Sequence, residues 1–303
     1  MKKFIILLIS FSASFLKAQF DPQFTQYMYN ESFINPAYAG SHDALSTTAL
    51  ARKQWVGFEG APTNVTFSAH TPIANDKLGI GINFMNESIG VMYRNMAMVN
   101  LAYRLKLKEG KLCFGLQAGA TGFTERLSVV QTIQANDNNF LQSTPLLFGP
   151  NVGGGIYYYT KKWYVGFSAP RMLLNTSFGN AVRTTFAANS LSYYLTGGYV
   201  FTINDDLKLK PTIMIKAASG APIQPEINIH AIIKDVFWAG AAYRYNDAVA
   251  AIIGFQATQH FKVGYSYDFT LSKLQKYNSG SHEIMLNYIF KYKNKNYNSP
   301  RYF

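Results

Sequence analysis

The chain has 303 residues and a formal net charge of +12, from 28 Lys and Arg against 16 Asp and Glu. Aromatic residues make up 16% of it and charged residues only 15%, whereas roughly 25% is charged in ordinary soluble domains. Beyond residue 16 no stretch of about eighteen apolar residues occurs, which excludes a protein that spans a membrane with helices.

The first 18 residues have the pattern of a secretory signal peptide. Lys2 and Lys3 give a basic start, residues 4–16 form an apolar run, and Ala18 is a small residue at the expected cleavage point. We therefore expect the mature chain to begin at Gln19 in an exported compartment. Two architectures fit such a chain: a soluble β-rich protein, or a β-barrel closed within an outer membrane.

Residues 19–43 precede the first strand pattern and are rich in aromatic rings. The segment includes Asp21, Tyr27 and Tyr38, and it is broken by Asn35 and Pro36. So many rings in an extended, proline-broken stretch favour packing at or in the lumen of a barrel, as a plug or across its mouth. The alternative is a loose exported tail.

From residue 45 to residue 290 the chain alternates between apolar and polar positions. Between residues 97 and 107 every odd position is apolar or aromatic, while the even positions include Asn100, Arg104 and Lys106. This period of two predicts strands whose two faces meet different solvents. Lys210 and Lys216 lie at polar positions of another run, and a Lys facing mid-membrane lipid costs about 2–4 kcal/mol, so we expect both to point inward.

The alternating runs predict an all-β fold with about 14 antiparallel strands in a single transmembrane β-barrel over residues 44–291. The predicted strands lie near residues 45–56, 63–71, 77–87, 95–107, 111–124, 150–160, 163–170, 191–202, 207–217, 226–234, 237–245, 248–257, 259–269 and 281–291. The even number is what a single-chain bacterial barrel requires. Residues 292–303 form a basic C-terminal tail.

The predicted connections alternate in length around the chain. Short turns alternate with longer loops, predicted at residues 57–62, 88–94, 125–150, 171–190, 219–225 and 270–280, and only the turn at Asn246 and Asp247 departs from the trend. Outer-membrane barrels have short periplasmic turns and longer external loops. A soluble sandwich has no reason to sort its loops in this way, so the pattern favours the barrel.

The sequence carries no motif for catalysis or for a cofactor. The five His residues lack metal-ligand spacing, the glycine clusters do not end in Gly-Lys-Ser/Thr, and there is no G-x-S-x-G element. Cys113 is the only cysteine and is expected to be a buried free thiol. We therefore predict neither an enzyme nor a cofactor or metal site.

The basic residues are dispersed through strands and turns. This distribution lacks the helix-borne cluster or known motif that would indicate nucleic-acid binding, so no nucleic-acid partner is expected. The positive charge has two other uses: attraction to an acidic protein or lipid headgroup, or solvation of the lumen.

Several motifs, in order along the chain, resemble the PorP/SprF family of type IX secretion membrane proteins. They are residues 21–28 (DPQFTQYM), 34–41 (INPAYAGS), 52–57 (RKQWVG) running into 59–63 (EGAPT), and 68–70 (SAH). The likeness continues through residues 78–81 and into residues 279–286, so it covers nearly the whole mature chain. It is weakest in the loops at residues 125–150 and 171–190.

This resemblance implies a non-enzymatic protein of the outer membrane that assists type IX secretion. Such proteins hold a large secreted cargo protein, for example a gliding adhesin, at the cell surface through the C-terminal sorting domain of the cargo. The implied partners are that sorting domain, other type IX secretion components and outer-membrane lipid. An outer-membrane porin or substrate-selective channel is the alternative function that the sequence leaves open.

Candidate contact residues for a cargo protein are apolar or aromatic residues in or beside the predicted outer loops, because such side chains are enriched at interfaces. They are Trp55, Phe58, Tyr93, Phe140, Leu146, Phe148, Met172 and Phe178. Each of them could instead belong to an aromatic girdle or pack a loop. The motif residues Arg52, Lys53, Gln54 and Glu59 are expected to form a polar network that orders the first hairpin, or to contact cargo.

Overall fold

A computed structural model describes residues 22–130, 142–178, 181–186, 191–218 and 221–290, and it is a closed barrel of fourteen antiparallel strands. The expected fold class is therefore confirmed. The barrel strands are β1 Leu45–Lys53, β2 Thr63–Ile73, β3 Leu78–Ile89, β4 Met92–Lys106, β5 Lys111–Glu125, β6 Leu147–Tyr159, β7 Trp163–Ala169, β10 Ser192–Tyr199 continued by β11 Phe201–Thr202, β12 Leu207–Ala218, β13 Gln224–Ile233, β14 Phe237–Arg244, β15 Ala248–Gln256, β16 Phe261–Thr270 and β17 Ser281–Phe290.

Each barrel strand pairs with the barrel strands before and after it along the chain, and two pairings close the ring. Strand β1 pairs with β17, so that Leu45 lies opposite Phe290, and β10 pairs with both β7 and β12. The closed ladder satisfies the backbone donors and acceptors that lipid cannot.

The side chains of the wall alternate between lumen and exterior as the sequence predicts. In β4, Asn100 is 0% and Arg104 3% exposed, whereas Val99 is 53% and Leu101 50% exposed. Lys210 and Lys216 are buried on the lumen side, as expected. The exterior of the barrel is therefore an apolar surface suited to lipid, and the interior is polar.

The connections divide the barrel into two ends. The short-turn end carries the connections at residues 74–77, 107–110, 160–162, 203–206, 234–236 and 257–260, and the long-loop end carries those at residues 54–62, 90–91, 126–146, 170–191, 219–223, 245–247 and 271–280. By the usual rule for such barrels the long-loop end faces the cell exterior. Exposed rings of Trp163, Phe237 and Tyr288 lie near the short-turn end, and those of Tyr243 and Phe269 near the other, as two interfacial girdles.

The predicted outer loop at residues 88–94 is wrong. Strands β3 and β4 continue to Ile89 and from Met92, so that only Gly90 and Val91 connect them. Gly90 has a φ of +56°, a conformation in which glycine has no Cβ penalty, and this permits the tight turn. The unbroken apolar run around it hides the alternation in the sequence.

The predicted loop at residues 171–190 contains two further strands outside the barrel sheet. Strands β8 Leu173–Phe178 and β9 Ala181–Phe186 form a hairpin. The signal is present in the sequence, because Gly179 and Asn180 separate two segments that include β-branched and aromatic residues. The short length of the segments concealed it.

Residues 24–41 lie inside the barrel, where all of them except Tyr29 are buried. They form short turns: 3-10 turns at Tyr27–Tyr29 and Pro36–Tyr38, with one helical turn at Glu31–Ile34 between them. We call residues 22–44 the plug. Within the described ranges, no helix is long and apolar enough to cross a membrane.

The plugged lumen and the long-loop face

The plug is shaped by its own polar residues and is then tied to the wall. The Asn35 side chain accepts a hydrogen bond from the Ala37 backbone N–H at 3.0 Å, and Pro36 begins the following turn. The same side chain donates to the Ile156 carbonyl oxygen at 3.0 Å. A proline with preset φ at the first position of a turn favours this geometry. One asparagine therefore both shapes the turn and anchors it to β6.

At the long-loop end an ion-pair cluster holds the start of the plug. The Arg52 guanidinium lies 2.8 Å from an Asp268 carboxylate oxygen and 3.2 Å from a Glu283 oxygen. Arg244 lies 3.3 Å from the same Asp268 oxygen. The Thr25 hydroxyl donates to Asp268 at 2.8 Å and accepts from Arg52 at 3.1 Å. We call these four wall residues, with Glu226, which pairs with Arg244 at 2.7 Å, the mouth cluster.

Burial makes the mouth cluster energetically important. Arg52 is 2% exposed and Glu283 1% exposed. Away from water, a charge pair interacts strongly, but each charge is costly when its partner is missing. Glu283 also accepts hydrogen bonds from the backbone N–H groups of Thr25 and Gln26, at 3.0 and 2.7 Å. The cluster therefore stabilises one particular position of the plug.

In the middle of the lumen, neutral polar groups connect the plug with β2, β3 and β4. The Ser32 hydroxyl donates to the Asn83 side-chain oxygen at 3.0 Å, and Asn83 donates to the Ser32 carbonyl oxygen at 2.7 Å. Asn30 donates to the Thr66 hydroxyl at 3.2 Å. Buried polar groups need such partners, so these hydrogen bonds hold the plug against the wall in the middle of the lumen.

Near the short-turn end the plug approaches the wall where glycine leaves room for it. A Cβ at Gly79 would overlap the Ala39 carbonyl group, and one at Gly115 would overlap the backbone of Ala37. Asp43 then lies 3.5 Å from Arg104. The missing side chains allow the plug backbone to lie directly on strands β3 and β5.

The plug and the family motif are placed as follows. Tyr27, Asn35, Pro36 and Tyr38 are buried in the lumen, while Asp21 lies outside the described residues. The four motif residues do not form one network. Arg52 belongs to the mouth cluster. Gln54, two residues further along the chain, is also buried, whereas Lys53 and Glu59 are exposed.

The candidate contact residues that the structure describes lie at the long-loop end but differ in exposure. Phe58 is 44%, Leu146 51% and Phe148 63% exposed, and Phe148 lies in β6. Trp55 and Met172 are half-buried, and so is Tyr93 in β4, which has the Arg126 guanidinium over its ring. Phe178 is the last residue of β8, and its side chain is not described. Phe140 lies outside the described residues.

The sequence did not indicate the other four members of the mouth cluster around Arg52. Asp268, Glu283, Arg244 and Glu226 are separated from it by long stretches of chain, and nothing local joins them. Their only signal is a charged residue at a lumen-facing position of a strand. Among the described residues, no group of three His, Cys, Asp or Glu side chains could hold a metal ion.

The closed sheet and its apolar exterior define the class of protein as an outer-membrane β-barrel. Its fold is similar to that of the monoaromatic hydrocarbon channel CymD, with a TM-score of 0.50 and 11% identity over 86% of this chain and 93% of that one. It is also similar to the toluene transporter TbuX of Ralstonia pickettii, with a TM-score of 0.49 and 9% identity over 85% and 92% of the two chains. At these identities the likeness concerns the fold alone.

A family model for the type IX secretion system membrane protein PorP/SprF matches residues 16–288. The chain belongs to this family, as its motifs indicated. Comparison with curated proteins finds no match.

Proposed function

We propose that this chain is a non-enzymatic outer-membrane component of type IX secretion that binds and anchors a secreted cargo protein by its C-terminal sorting domain. The observation that carries the proposal is the filled lumen: residues 24–41 occupy the space that a channel would need. The long-loop face is then the surface left for function. Its partners would be the sorting domain and other secretion components.

Exposed apolar side chains on that face support protein binding. Phe58 and Leu146 are exposed, and Val129 and Tyr277 are each 66% exposed. They lie in connections at the long-loop end, and aromatic residues such as Phe58 and Tyr277 are enriched at protein–protein interfaces. Loops carried on a rigid closed ladder suit recognition of one particular cargo.

Affinity purification from outer membranes under mild detergent tests the proposal. A large secreted protein should co-purify with the wild-type barrel, and its recovery should fall at least tenfold with the double variant Phe58→Ser, Leu146→Ser. Ile203→Ser is the matched control, because Ile203 is 56% exposed but lies in a connection at the short-turn end. Recovery of no secreted protein or secretion component would contradict anchoring.

The alternative function, a channel, makes a different prediction for the purified barrel. A plug fixed at both ends should leave only small currents in planar bilayers. Large steady currents from the wild-type protein would favour a porin over an anchor with a filled lumen.

A further inference from the structure

The short-turn end has a strongly basic sector. The turns that join β2 to β3, β4 to β5 and β6 to β7 lie side by side, because these six strands are consecutive in the ring. Together with two residues of each flanking strand, these turns contain six lysines but only two acidic residues, Asp76 and Glu109. Five of the lysines are exposed, and we call them the lysine arc: Lys77, Lys106, Lys108, Lys161 and Lys162.

The lysine arc is not neutralised by the chain itself. Lys106 lies directly opposite Lys111 in the β4–β5 pair, and like charges in this position repel each other. Asp43 of the plug lies 3.4 Å from Lys111 and offsets its charge. Within the described ranges, no member of the arc forms an ion pair. An anion from outside the chain would relieve this repulsion.

The other half of the same end is electrically balanced. The turns that join β11 to β12, β13 to β14 and β15 to β16, counted in the same way, contain three lysines and three aspartates. Lys208 pairs with Asp235 at 2.6 Å across two of these turns. The short turns of this barrel therefore do not need an excess of lysine, and the excess belongs to one side of the ring.

The lysine arc lies at the depth of lipid headgroups. Trp163, a ring of the girdle at this end, directly follows Lys162, and the exposed ring of Tyr103 precedes Lys106 by three residues. A strand tilted by about 45° rises roughly 2.3 Å per residue along the membrane normal, so Lys106 lies roughly 7 Å beyond Tyr103. The headgroup layer beyond the hydrocarbon is about 5–7 Å thick on each side. The ammonium groups of the arc therefore reach the level of lipid phosphates.

We propose that the lysine arc binds the phosphate groups of anionic phospholipids in the periplasmic leaflet. A lysine ammonium is a compact charge on a flexible stem, which suits a phosphate that moves with its lipid. Clusters of four to eight basic residues at a membrane surface attract anionic lipid in this way. Anionic lipid then gathers beside strands β2–β7 and not beside β11–β16. The proposal does not rest on the anchoring function.

Quenching of Trp163 fluorescence by brominated lipid tests the proposal. In a Trp55→Phe background, Trp163 is the tryptophan that faces lipid, because Trp238 packs against Tyr29 in the lumen. The barrel is reconstituted in vesicles of phosphatidylglycerol and phosphatidylcholine, with bromine on one lipid or on the other. Phosphatidylglycerol should be enriched at least threefold beside Trp163 over its share of the vesicle. The double variant Lys106→Gln, Lys161→Gln should lose this enrichment.

A second double variant with the same change of charge is the control. Lys53→Gln, Lys234→Gln removes one exposed lysine at the long-loop end and one in the balanced half, and it should keep the enrichment. Heat-modifiable gel mobility checks that each variant forms a barrel. Lys108→Gln, Lys162→Gln replaces the arc variant if that variant does not fold.

Three outcomes would overturn the proposal. The first is the absence of enrichment beside Trp163 when all lysines are present. The second is an equal loss in both double variants, because the effect would then follow net charge and not the arc. The third is loss of the enrichment in millimolar inorganic phosphate but not in chloride of the same ionic strength, which would make free phosphate the ligand in place of lipid.

Discussion

At the scale of single residues, the arrangement depends most on buried charge. Arg52 lies directly opposite Glu283 across the β1–β17 pair and also contacts Asp268. If the guanidinium were removed, both carboxylates would remain away from water with one fewer cation. Neighbouring Lys53 has the opposite environment, because its side chain is exposed. Two adjacent basic residues of one motif therefore have different roles.

We expect Arg52→Ala to lower the free energy of unfolding by about 3–5 kcal/mol, the usual cost of breaking a buried ion pair from one side. Lys53→Ala should change it by less than about 0.5 kcal/mol, as exposed substitutions do. Urea unfolding of both variants in the same lipid vesicles measures the difference. Equal stability of the two would show that the mouth cluster does not stabilise the barrel.

At the scale of elements, the contact between plug and wall depends on glycine in the strands. Gly115 in β5 leaves the space that the Ala37 backbone occupies, whereas a Cβ at Gly154 in β6 would meet no atom closer than 3.6 Å. The two glycines lie in paired strands but differ in what a side chain would contact. Only the first is required by the path of the plug.

Gly115→Val should therefore displace the part of the plug around Ala37, because neither the wall nor the plug backbone can move without losing hydrogen bonds. The variant should conduct in planar bilayers and expose the plug to protease. Gly154→Ala should remain closed and protected. A closed Gly115→Val barrel with normal protease resistance would mean that the plug does not need this approach.

At the scale of the whole molecule, the exterior has the properties of a surface in lipid. Val99 is 53% exposed at the centre of β4, and every barrel strand except β1 has at least one large apolar side chain exposed on the wall. Val129 is 66% exposed, but it lies in a 3-10 turn of a long-loop connection. The same residue type thus occupies two positions that differ in their expected solvent.

Val99→Lys should destabilise the barrel in bilayers by about 2–4 kcal/mol, the cost of a lysine at the membrane midplane, while Val129→Lys should be close to neutral. Unfolding titrations in vesicles compare the two. A small effect at Val99 would contradict the position of β4 in the membrane.

The sequence by itself determined the strand count, the two faces of each strand and the presence of a ring-rich segment before the barrel. These features are local, because successive side chains of a strand point to opposite faces. The apolar Val99 and the polar Asn100 therefore indicate the lipid face and the lumen face of β4 without reference to the rest of the chain. It also carried the family motifs. It did not locate the hairpin β8–β9 or the tight turn at Gly90, where the segments are short or the alternation is interrupted.

Only the tertiary structure decided which charged residues meet and how the plug crosses the lumen. Arg52 and Asp268 are 216 residues apart and come together because the ring closes and the strands take one register. Likewise, Gly115 matters only because the plug passes over it. Contacts across a closed lumen depend on all strands at once, and no local pattern encodes such a contact.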